Sequence, residues 1–373
     1  MINDRRFVLV TGGAGYIGCV LVPMLRRRGY HVRVLDKLIF GDEGLAQVAD
    51  QIEIVQGDIC SFDEGVLDDI DAVIHLAGLS NDPTAEFDPA ANMLINVEGT
   101  RNVARACLRR GVPRFVFASS CSIYYTLDSN EGLLDEGSPI NPTAPYSLSK
   151  KLAEELLREL ASPDFCPTFL RKGTIFGASP RMRYDLVVNA FVRDAWDRGQ
   201  LTVFAGGEMW RPLLAVQDAA QAYIDTLELP EEVVRGRAYN VLHKNYRILE
   251  LAHWVKHVLR DRRSIDVTVR YGDGVPPRSY QVCGARFGET HGYQPQTGVA
   301  DAALEIWQRL EQGMATDTGN PAYYNIAWFK LLASVEQRLK QTGPLFPRTG
   351  GRHPDAAVRR RRRSTDEASM ALA

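Results

Sequence analysis

The chain has 373 residues, of which 45% are hydrophobic and 24% are charged, and these proportions are typical of a folded globular protein. Its 44 Lys and Arg residues against 46 Asp and Glu residues give a formal net charge of −2, so no strong electrostatic field favours nucleic acid or an anionic membrane as a partner. This composition excludes a coiled coil, a collagen and a chain disordered throughout. The six scattered cysteines, with no CxxC pair, exclude a disulfide scaffold and do not have the spacing of a zinc site.

Short apolar segments alternate with helical segments in the first half of the chain. Strands are predicted at 6–10, 31–36, 52–58, 72–77, 114–120 and 168–171. Helices are predicted at 19–28, 91–110 and 146–160. This alternation indicates an α/β fold whose core is a Rossmann-type, doubly wound parallel sheet.

Residues 7–25 contain no charged side chain and are nearly long enough to span a membrane. Four glycines and one proline interrupt them, so a strand, a loop and a helix explain this segment better. The first residues of the chain also lack the pattern of a signal peptide. We therefore expect a soluble protein in the reducing environment of the cytoplasm.

Beyond Gly177 the alternation loosens. Helices are predicted at 185–198, 216–227, 249–259 and 302–312, separated by short strands and by loops rich in Pro and Gly. These features predict a smaller α+β substrate-binding domain at 178–345, after a first domain at 1–177. A tail at 346–373 contains five consecutive arginines, and its composition favours disorder in solvent over a local contact with an anion.

Four glycines lie between the first predicted strand and the first predicted helix, and three of them have the spacing of a dinucleotide-binding loop. Gly12 permits the tight turn, Gly15 lets the backbone approach a pyrophosphate, and Gly18 allows the helix to pack closely on the sheet. Asp36 ends the second strand, where its carboxylate can accept hydrogen bonds from both ribose hydroxyls and repel a 2′-phosphate. The pattern favours NAD over NADP, although the adjacent Lys37 weakens this preference.

Tyr146 and Lys150 are four residues apart and share one face of a predicted helix. A free tyrosine has a pKa near 10 and is a poor base at neutral pH. The ammonium of Lys150, together with a positive nicotinamide ring, would stabilise the phenolate and lower the pKa of Tyr146. Ser120 ends the fifth strand, at the edge of the sheet where ligands bind, so its hydroxyl can hold a substrate oxygen.

With these motifs the chain resembles the extended short-chain dehydrogenase/reductase family, in its nucleotide-sugar epimerase and dehydratase branch, from residue 6 to about residue 310. The motifs are TGGAGYIG at 11–18, Asp36, GDI at 57–59, HLAG at 75–78, FASS at 117–120, the Tyr146 and Lys150 pair, and LRKGTIFG at 170–177. The resemblance implies NAD as cofactor and Ser120, Tyr146 and Lys150 as catalytic residues. It also implies further cofactor contacts from Tyr16, Ile17, Asp58, Ile59, Leu76, Ala77 and Gly78.

The same resemblance implies that a nucleoside-diphosphate sugar is the substrate. It implies substrate contacts from Ser80, Ser120, Cys121, Ser122, Arg183, Asn189, Arg211 and Arg278, with Asn189 at the diphosphate. Arginines suit a diphosphate because a guanidinium binds phosphate oxygens in pairs. A homodimer, formed through the helices near 91–110 and 146–160, is a further expectation from the resemblance.

The run that follows Ser120 departs from the family pattern. Dehydratases of this branch carry an Asp-Glu pair here that eliminates water, whereas this chain has Cys121 and Ser122, so a standard 4,6-dehydration is disfavoured. The Cys121 thiol is either an acid or base beside a ketone or a small buried filler. Tyr125 also replaces the usual glycine. His75 is expected to pack or to contact the cofactor, and the other histidines do not cluster, so no metal site is predicted.

Together these residues predict oxidation of a sugar hydroxyl, at ring carbon 4, to a transient ketone. An epimerase needs only Ser120, Tyr146 and Lys150, and it is the first interpretation. A dehydratase or neighbouring-carbon epimerase assisted by Cys121, and a 4-oxidase or reductase that releases its product, are the alternatives. A protein that only senses dinucleotides is the alternative without catalysis, and it would need only the glycine loop and Asp36.

Overall fold

The computed structural model describes residues 6–124, 132–274 and 279–343. The strands are β1 (Phe7–Thr11), β2 (His31–Asp36), β3 (Glu53–Gln56), β4 (Ala72–His75), β5 (Arg114–Ser120), β6 (Cys166–Lys172), β7 (Thr174–Phe176), β8 (Gln200–Phe204), β9 (Trp210–Ala215), β10 (Ala238–Val241), β11 (Lys244–Arg247) and β12 (Thr268–Gly272). The helices are α1 (Gly18–Arg27), α2 (Asp82–Phe87), α3 (Pro89–Met93), α4 (Thr100–Arg110), α5 (Pro145–Leu160), α6 (Val187–Arg198), α7 (Val216–Glu228), α8 (Glu231–Val234), α9 (Ile248–Arg263), α10 (Ala285–His291), α11 (Val299–Glu311) and α12 (Asn325–Thr342).

Seven parallel strands form the central sheet, in the order β10-β6-β5-β4-β1-β2-β3. Alternate residues of each strand face opposite sides, so Val10 packs with helices α1 and α7, while Leu9 packs with α4 and α5. Both faces of the sheet are covered by helices, which confirms the predicted doubly wound α/β fold. The carboxyl ends of the strands meet at one edge of the sheet, where the predicted site residues follow β1, β2, β4 and β5.

A second core lies beyond Gly177 and consists mainly of residues from α6, α9 and α11. Two small sheets accompany it, with the strand orders β11-β9-β7 and β12-β8. Helix α7 and strand β10 nevertheless return to the large sheet, where β10 pairs with β6. The smaller α+β part thus includes residues before Gly177, since β7 pairs with β9, and the domain boundary at 177 stays a prediction.

The helix predicted at 91–110 is interrupted. Between α3 and α4 the chain forms a wide π-helical turn over Leu94–Gly99. Within this turn the Asn96 side chain accepts a hydrogen bond from the Leu79 backbone N–H (2.8 Å) and donates to the Ser149 hydroxyl (3.1 Å). The extra residue in the turn thus carries a polar side chain between the loop after β4 and helix α5, a contact that helical periodicity does not reveal.

The basic tail predicted at 346–373, and the residues Tyr125 and Arg278, lie outside the described residues. In the ranges that are described, none of the helices combines the length and the apolar character needed to cross a bilayer.

Candidate active site

The glycine loop connects β1 to α1 in the geometry that the sequence predicts. Gly12 has φ +71°, and a Cβ added there would lie 2.6 Å from the backbone nitrogen of Ala77. A Cβ at Gly18 would lie 2.3 Å from the carbonyl oxygen of Gly13, so only glycine lets α1 begin this close to the loop. Gly15 remains partly accessible. The loop therefore leaves its backbone and the start of α1 available to a pyrophosphate.

The two residues after Gly15 connect this loop to the carboxyl-terminal part. The Tyr16 hydroxyl donates to the carbonyl oxygen of Gly177 (2.5 Å), and the Ser179 hydroxyl donates to the carbonyl oxygen of Tyr16 (2.7 Å). Ile17 packs against both the sheet core and the second core. Tyr16 is buried, and its hydrogen bonds hold the glycine loop against the 177–179 segment.

The acidic residue at the end of β2 is oriented by backbone N–H groups. The Asp36 carboxylate accepts hydrogen bonds from Ala14 (3.0 Å) in the glycine loop and from Leu38 (2.8 Å). Burial raises the pKa of Asp36, and these two donors act against that effect. Carboxylate oxygens have further lone pairs, so Asp36 can still accept hydrogen bonds from ribose hydroxyls.

The neighbouring Lys37 makes an ion pair with Asp58, with 2.8 Å between its Nζ and a carboxylate oxygen. Partial burial acts to raise the pKa of Asp58, but the hydrogen bonds from Lys37 and Cys60 and the Lys37 charge together lower it. Because the Lys37 charge is already matched, it offers little attraction to a 2′-phosphate. Ile59, next to Asp58, is buried, and its side chain packs where a Cβ of Gly99 would otherwise lie, 2.7 Å away.

The loop after β4 brings Leu76, Ala77 and Gly78 beside both the glycine loop and helix α5. A Cβ at Gly78 would lie 2.6 Å from the side-chain oxygen of Asn96 and 3.8 Å from the Lys150 Nζ. Each of the three residues is partly accessible. The structure thus places the segment predicted to line the cofactor between the loop and the predicted catalytic helix.

The buried His75, at the end of β4, is hydrogen-bonded to the hydroxyls of Thr11 (2.7 Å) and Thr100 (3.0 Å). Burial lowers its pKa to about 3 and keeps the ring neutral at physiological pH. These contacts agree with the packing role predicted for it. Over the described residues, no group of three His, Cys, Asp or Glu side chains is arranged to hold a metal ion.

The structure brings the three predicted catalytic residues together. The Ser120 hydroxyl at the end of β5 lies near the Tyr146 phenol at the start of α5, close enough to act on the pKa of that phenol. The Lys150 Nζ lies 6.0 Å from the centroid of the Tyr146 ring and 4.8 Å from that of Phe117. Tyr146 keeps part of its surface accessible, as expected for a residue that lines a cleft.

Burial favours the neutral forms of both titratable residues in this group. It raises the pKa of Tyr146 to about 12, and nearby Asp82 adds to this, while the Ser120 hydroxyl and the Arg183 charge oppose it. It lowers the pKa of Lys150 to about 8, against the opposing charge of Glu154. In the absence of a ligand charge, the phenol is therefore protonated at pH 7.

Cys121 and Ser122 follow Ser120 and are both buried. The Cys121 thiol donates to the carbonyl oxygen of Arg171 (3.0 Å), and burial raises its pKa. These properties favour packing over acid or base chemistry for Cys121. The Ser122 hydroxyl is buried and, within the described part of the chain, has no hydrogen-bond partner, so it remains available to a polar ligand.

The arginines predicted to bind the substrate differ in their surroundings. Arg183 is buried and makes a bidentate pair with Asp185 (2.9 and 2.7 Å), and it also donates to the Ser80 hydroxyl (3.3 Å). Arg211, on β9, donates to the carbonyl oxygen of Trp210 (2.8 Å). The structure thus brings together Ser80 and Arg183, two of the residues predicted to contact the substrate, and places Arg211 on β9.

Asn189 has a different role from the predicted diphosphate contact. It is fully buried, and its side-chain oxygen accepts from the Gly177 N–H (2.9 Å). Its amide nitrogen donates to the carbonyl oxygen of Arg183 (2.8 Å) and to the Tyr16 hydroxyl (3.0 Å). Because these contacts occupy the amide, Asn189 holds the 177–183 segment in place instead of facing a ligand.

Two sets of contacts near the site were not predicted. Glu154, one helical turn after Lys150, is buried in a bidentate pair with Arg171 (2.9 and 2.7 Å) and accepts a hydrogen bond from Ser119 (2.5 Å). The four-residue spacing from Lys150 was the available sequence signal for Glu154. Asn325, from the start of α12, donates to the Ser80 hydroxyl (2.8 Å), a contact across 245 residues for which the sequence carries no local signal.

Similarity to known proteins agrees with this geometry. Residues 8–241 match the NAD dependent epimerase/dehydratase family. The UDP-glucose 4-epimerase of Bacillus subtilis is 26% identical over 339 residues, which cover 81% of this chain and 96% of that enzyme. A dTDP-glucose 4,6-dehydratase of Streptomyces niveus is 30% identical over 250 residues, which cover 63% of this chain and 71% of the dehydratase.

Among solved structures, the dTDP-glucose 4,6-dehydratase DesIV from Streptomyces venezuelae, with NAD bound, is similar with a TM-score of 0.71 at 26% identity. The similarity covers 82% of this chain and 98% of DesIV. DesIV is solved with NAD bound and the matched family is NAD dependent, so NAD is the cofactor. This chain is therefore an enzyme of the NAD dependent epimerase/dehydratase family, within the extended short-chain dehydrogenases/reductases.

Proposed function

We propose that this enzyme is a nucleotide-sugar epimerase that acts at ring carbon 4 of its substrate. The observation that carries the proposal is the placement of the Ser120 hydroxyl near the Tyr146 phenol, with the Lys150 Nζ 6.0 Å from the centroid of the same ring. This group suffices for removal and return of one hydroxyl proton. NAD, when bound, supplies the accompanying oxidation and reduction at the ring carbon.

Each residue of the group has a distinct role in the proposal. Tyr146 accepts the proton of the sugar hydroxyl, and Ser120 holds the same oxygen by a hydrogen bond. Lys150 contributes positive charge beside the phenol and reaches toward Gly78, in the segment that lines the cofactor. After the ring has turned in the pocket, Tyr146 returns the proton to the oxygen, and the configuration at that carbon is inverted.

The charge on the oxidised cofactor has a part in the role of Tyr146. In the ligand-free protein, burial raises the pKa of Tyr146 to about 12, so the phenol is too weak an acid to be ionised at pH 7. A positive nicotinamide ring beside the phenol would favour its ionised form. Tyr146 thus becomes a base only when the oxidised cofactor is present, which prevents proton transfer without a hydride acceptor.

Substrate binding is assigned to residues at the rim of the same cleft. Arg183 lies beside the exposed Ser80, and its charge interacts with Tyr146. We therefore assign Arg183 to a substrate phosphate near the catalytic group. A phosphate would have to compete with Asp185 for that guanidinium. The unpartnered Ser122 hydroxyl is a further candidate contact for the sugar.

The product distinguishes epimerisation from the other reactions open to a keto sugar. We would incubate the enzyme with UDP-, dTDP-, GDP- and CDP-sugars and analyse the products by mass spectrometry and NMR. An unchanged mass with inverted configuration at carbon 4 supports the proposal. Loss of water would instead indicate a dehydratase, and loss of two hydrogens would indicate release of the oxidised sugar.

The Tyr146→Phe variant tests the assigned base. Because a positioned base contributes about 10²- to 10⁴-fold, turnover should fall by that range. The affinity for NAD should change by less than about threefold, since the ring is retained. A variant that turns over within about threefold of the wild-type rate would show that another group removes the proton.

A further inference from the structure

Arg181 is a buried arginine that the catalytic proposal does not use. It is 8% exposed, and its guanidinium lies 3.7 Å from the centroid of the Phe40 ring. One terminal nitrogen donates to the side-chain oxygen of Asn325 (2.7 Å) and, at 3.5 Å, to the carbonyl oxygen of Ala322. The Nε atom is buried without a hydrogen-bond partner in the described residues.

The charge of Arg181 is not matched by a nearby carboxylate. Arg183, two residues later, is paired with Asp185 at 2.7 Å, whereas no described carboxylate lies within 4.0 Å of the Arg181 guanidinium. Burial lowers the pKa of Arg181 to about 9, and the neighbouring Arg183 charge adds to this effect. Because an unpaired buried charge is costly, the surroundings of Arg181 are those of a site completed by an anion.

The segment that carries Arg181 packs against the glycine loop and the first turn of α1. A Cβ at Gly44 would lie 2.5 Å from the Cys19 sulfur and 3.4 Å from the Cβ of Arg181, so these residues adjoin one another. The guanidinium also interacts electrostatically with Asp36 and with Tyr16. Arg181 therefore lies between the end of β2 and the beginning of α1, where a dinucleotide pyrophosphate is expected.

We propose that Arg181 binds a diphosphate group, and that this group is the pyrophosphate of bound NAD. Its neighbours belong to the glycine loop and to the segment after β2, whereas Arg183 adjoins Ser80 and interacts with Tyr146. In this arrangement Arg181 binds the pyrophosphate of NAD, and Arg183 binds the diphosphate of the substrate. The inference rests on NAD as the cofactor and does not depend on which sugar reaction follows.

Helix α12 supplies the support for this arginine. Asn325 holds the guanidinium through its side-chain oxygen and the Ser80 hydroxyl through its side-chain nitrogen. Trp328 donates to the carbonyl oxygen of Ile39 (2.8 Å), and the Phe329 ring meets the edge of the Phe40 ring at 5.9 Å between centroids. Asn325 is therefore a positioning residue, and α12 braces the segment after β2 on which Arg181 stacks.

Calorimetric titration of the full chain, freed of bound cofactor, tests the proposal with NAD, adenosine and UDP as probes. In Arg181→Met, we expect the affinity for NAD to fall about 10- to 100-fold, the range for a lost charged hydrogen bond, while adenosine and UDP bind within about twofold of wild type. Arg114→Met is the matched control, because Arg114 is a partly buried arginine at the opposite end of β5. It should leave all three affinities within about twofold.

Two further variants keep the test decisive if Arg181→Met unfolds, which circular dichroism would show. Arg181→Lys keeps the charge but loses the planar donor arrangement, so its NAD affinity should fall about threefold to tenfold. Asn325→Ala should weaken NAD binding about threefold, whereas the exposed Leu331→Ala on the same helix should not.

Two results would overturn the assignment. A loss of UDP affinity with unchanged NAD affinity would give Arg181 to the substrate diphosphate, and equal loss for adenosine and NAD would indicate a general disturbance of the pocket. Unchanged affinity for every probe in Arg181→Met and Arg181→Lys would also contradict it. None of these measurements involves turnover, so failure of the epimerase proposal would leave their interpretation unchanged.

Discussion

Tyr146 and Lys150 lie on the same helix face, and burial acts on their charges in opposite directions. The pKa of Tyr146 is raised to about 12 and that of Lys150 is lowered to about 8. Both changes favour the neutral side chain, because removal from water penalises the charged form of any group. In the proposed mechanism, the Tyr146 phenolate therefore needs positive charge from outside the chain, and the oxidised cofactor would supply that charge.

A spectroscopic titration of Tyr146 tests whether the cofactor charge lowers its pKa. Without cofactor, the tyrosinate absorbance assigned to Tyr146, obtained by subtracting the titration of Tyr146→Phe, should develop only near pH 12. Bound NAD should move that transition to lower pH, because its nicotinamide charge stabilises the phenolate. Bound reduced cofactor, which lacks the ring charge, should move it less. Identical transitions in all three states would show that the cofactor charge does not act on Tyr146.

Cys121 is a second residue whose surroundings decide between two roles. Its thiol is fully buried and donates to the carbonyl oxygen of Arg171, and both features favour the neutral form. We expect Cys121→Ala to retain turnover within about fivefold and to lower the free energy of unfolding by about 1–2 kcal/mol, because a small cavity replaces the sulfur. A loss of turnover of about 10²-fold or more, with the fold intact, would instead support the acid or base role.

At the scale of secondary-structure elements, a buried ion pair joins the catalytic helix to the sheet. Glu154 of α5 and Arg171 of β6 are 1% exposed each, and Arg171 also donates to the Tyr124 hydroxyl (2.7 Å). Burial acts to raise the pKa of Glu154, but the hydrogen bonds and charge of Arg171 outweigh it and lower that pKa. The Ser119 hydroxyl also donates to Glu154, so the pair anchors the strand end that carries Ser120.

Removing one partner of this pair should be costly. Among the described residues, Arg171→Met leaves the buried Glu154 carboxylate with Arg158 and Ser119 as partners, and we expect a loss of about 3–5 kcal/mol in the free energy of unfolding. The double variant Glu154→Leu/Arg171→Met should recover part of this loss, because no uncompensated charge remains. Denaturant unfolding of the three proteins measures both effects, and additive losses in the double variant would contradict the assigned coupling.

At the scale of the whole molecule, an exposed apolar side chain precedes α4. Leu94, on the π-helical turn before α4, is 55% exposed, and Ile95 next to it and Leu152 on α5 are partly buried. This is the face through which a homodimer is predicted. We expect sedimentation velocity to show a dimer that Leu94→Arg converts to a monomer, since a charge there would be buried on association. If the wild-type protein sediments as a monomer, the predicted homodimer is wrong.

Local spacing was sufficient to predict the nucleotide-binding half of the molecule. Gly12, Gly15 and Gly18 act through the backbone of one turn, and Asp36 follows from the length of one strand, so each constraint involves neighbouring residues. The pairing of Tyr146 with Lys150 likewise follows from the pitch of a single helix. For this reason the parallel sheet and the cofactor were predictable from the sequence, and the grouping of Ser120, Tyr146 and Lys150 as catalytic residues stays a prediction.

Only the tertiary structure decided the roles of residues whose partners are remote. Asn189 is occupied by the glycine loop and by the 177–183 segment, which no local pattern reveals. The contact of Arg181 with Asn325 joins residues 144 positions apart, and it exists because α12 folds back on the segment after β2. The sequence determines which residue types are present, whereas tertiary packing determines which of their charges are paired. Here Arg183 is paired with Asp185, and Arg181 has no paired carboxylate among its described neighbours.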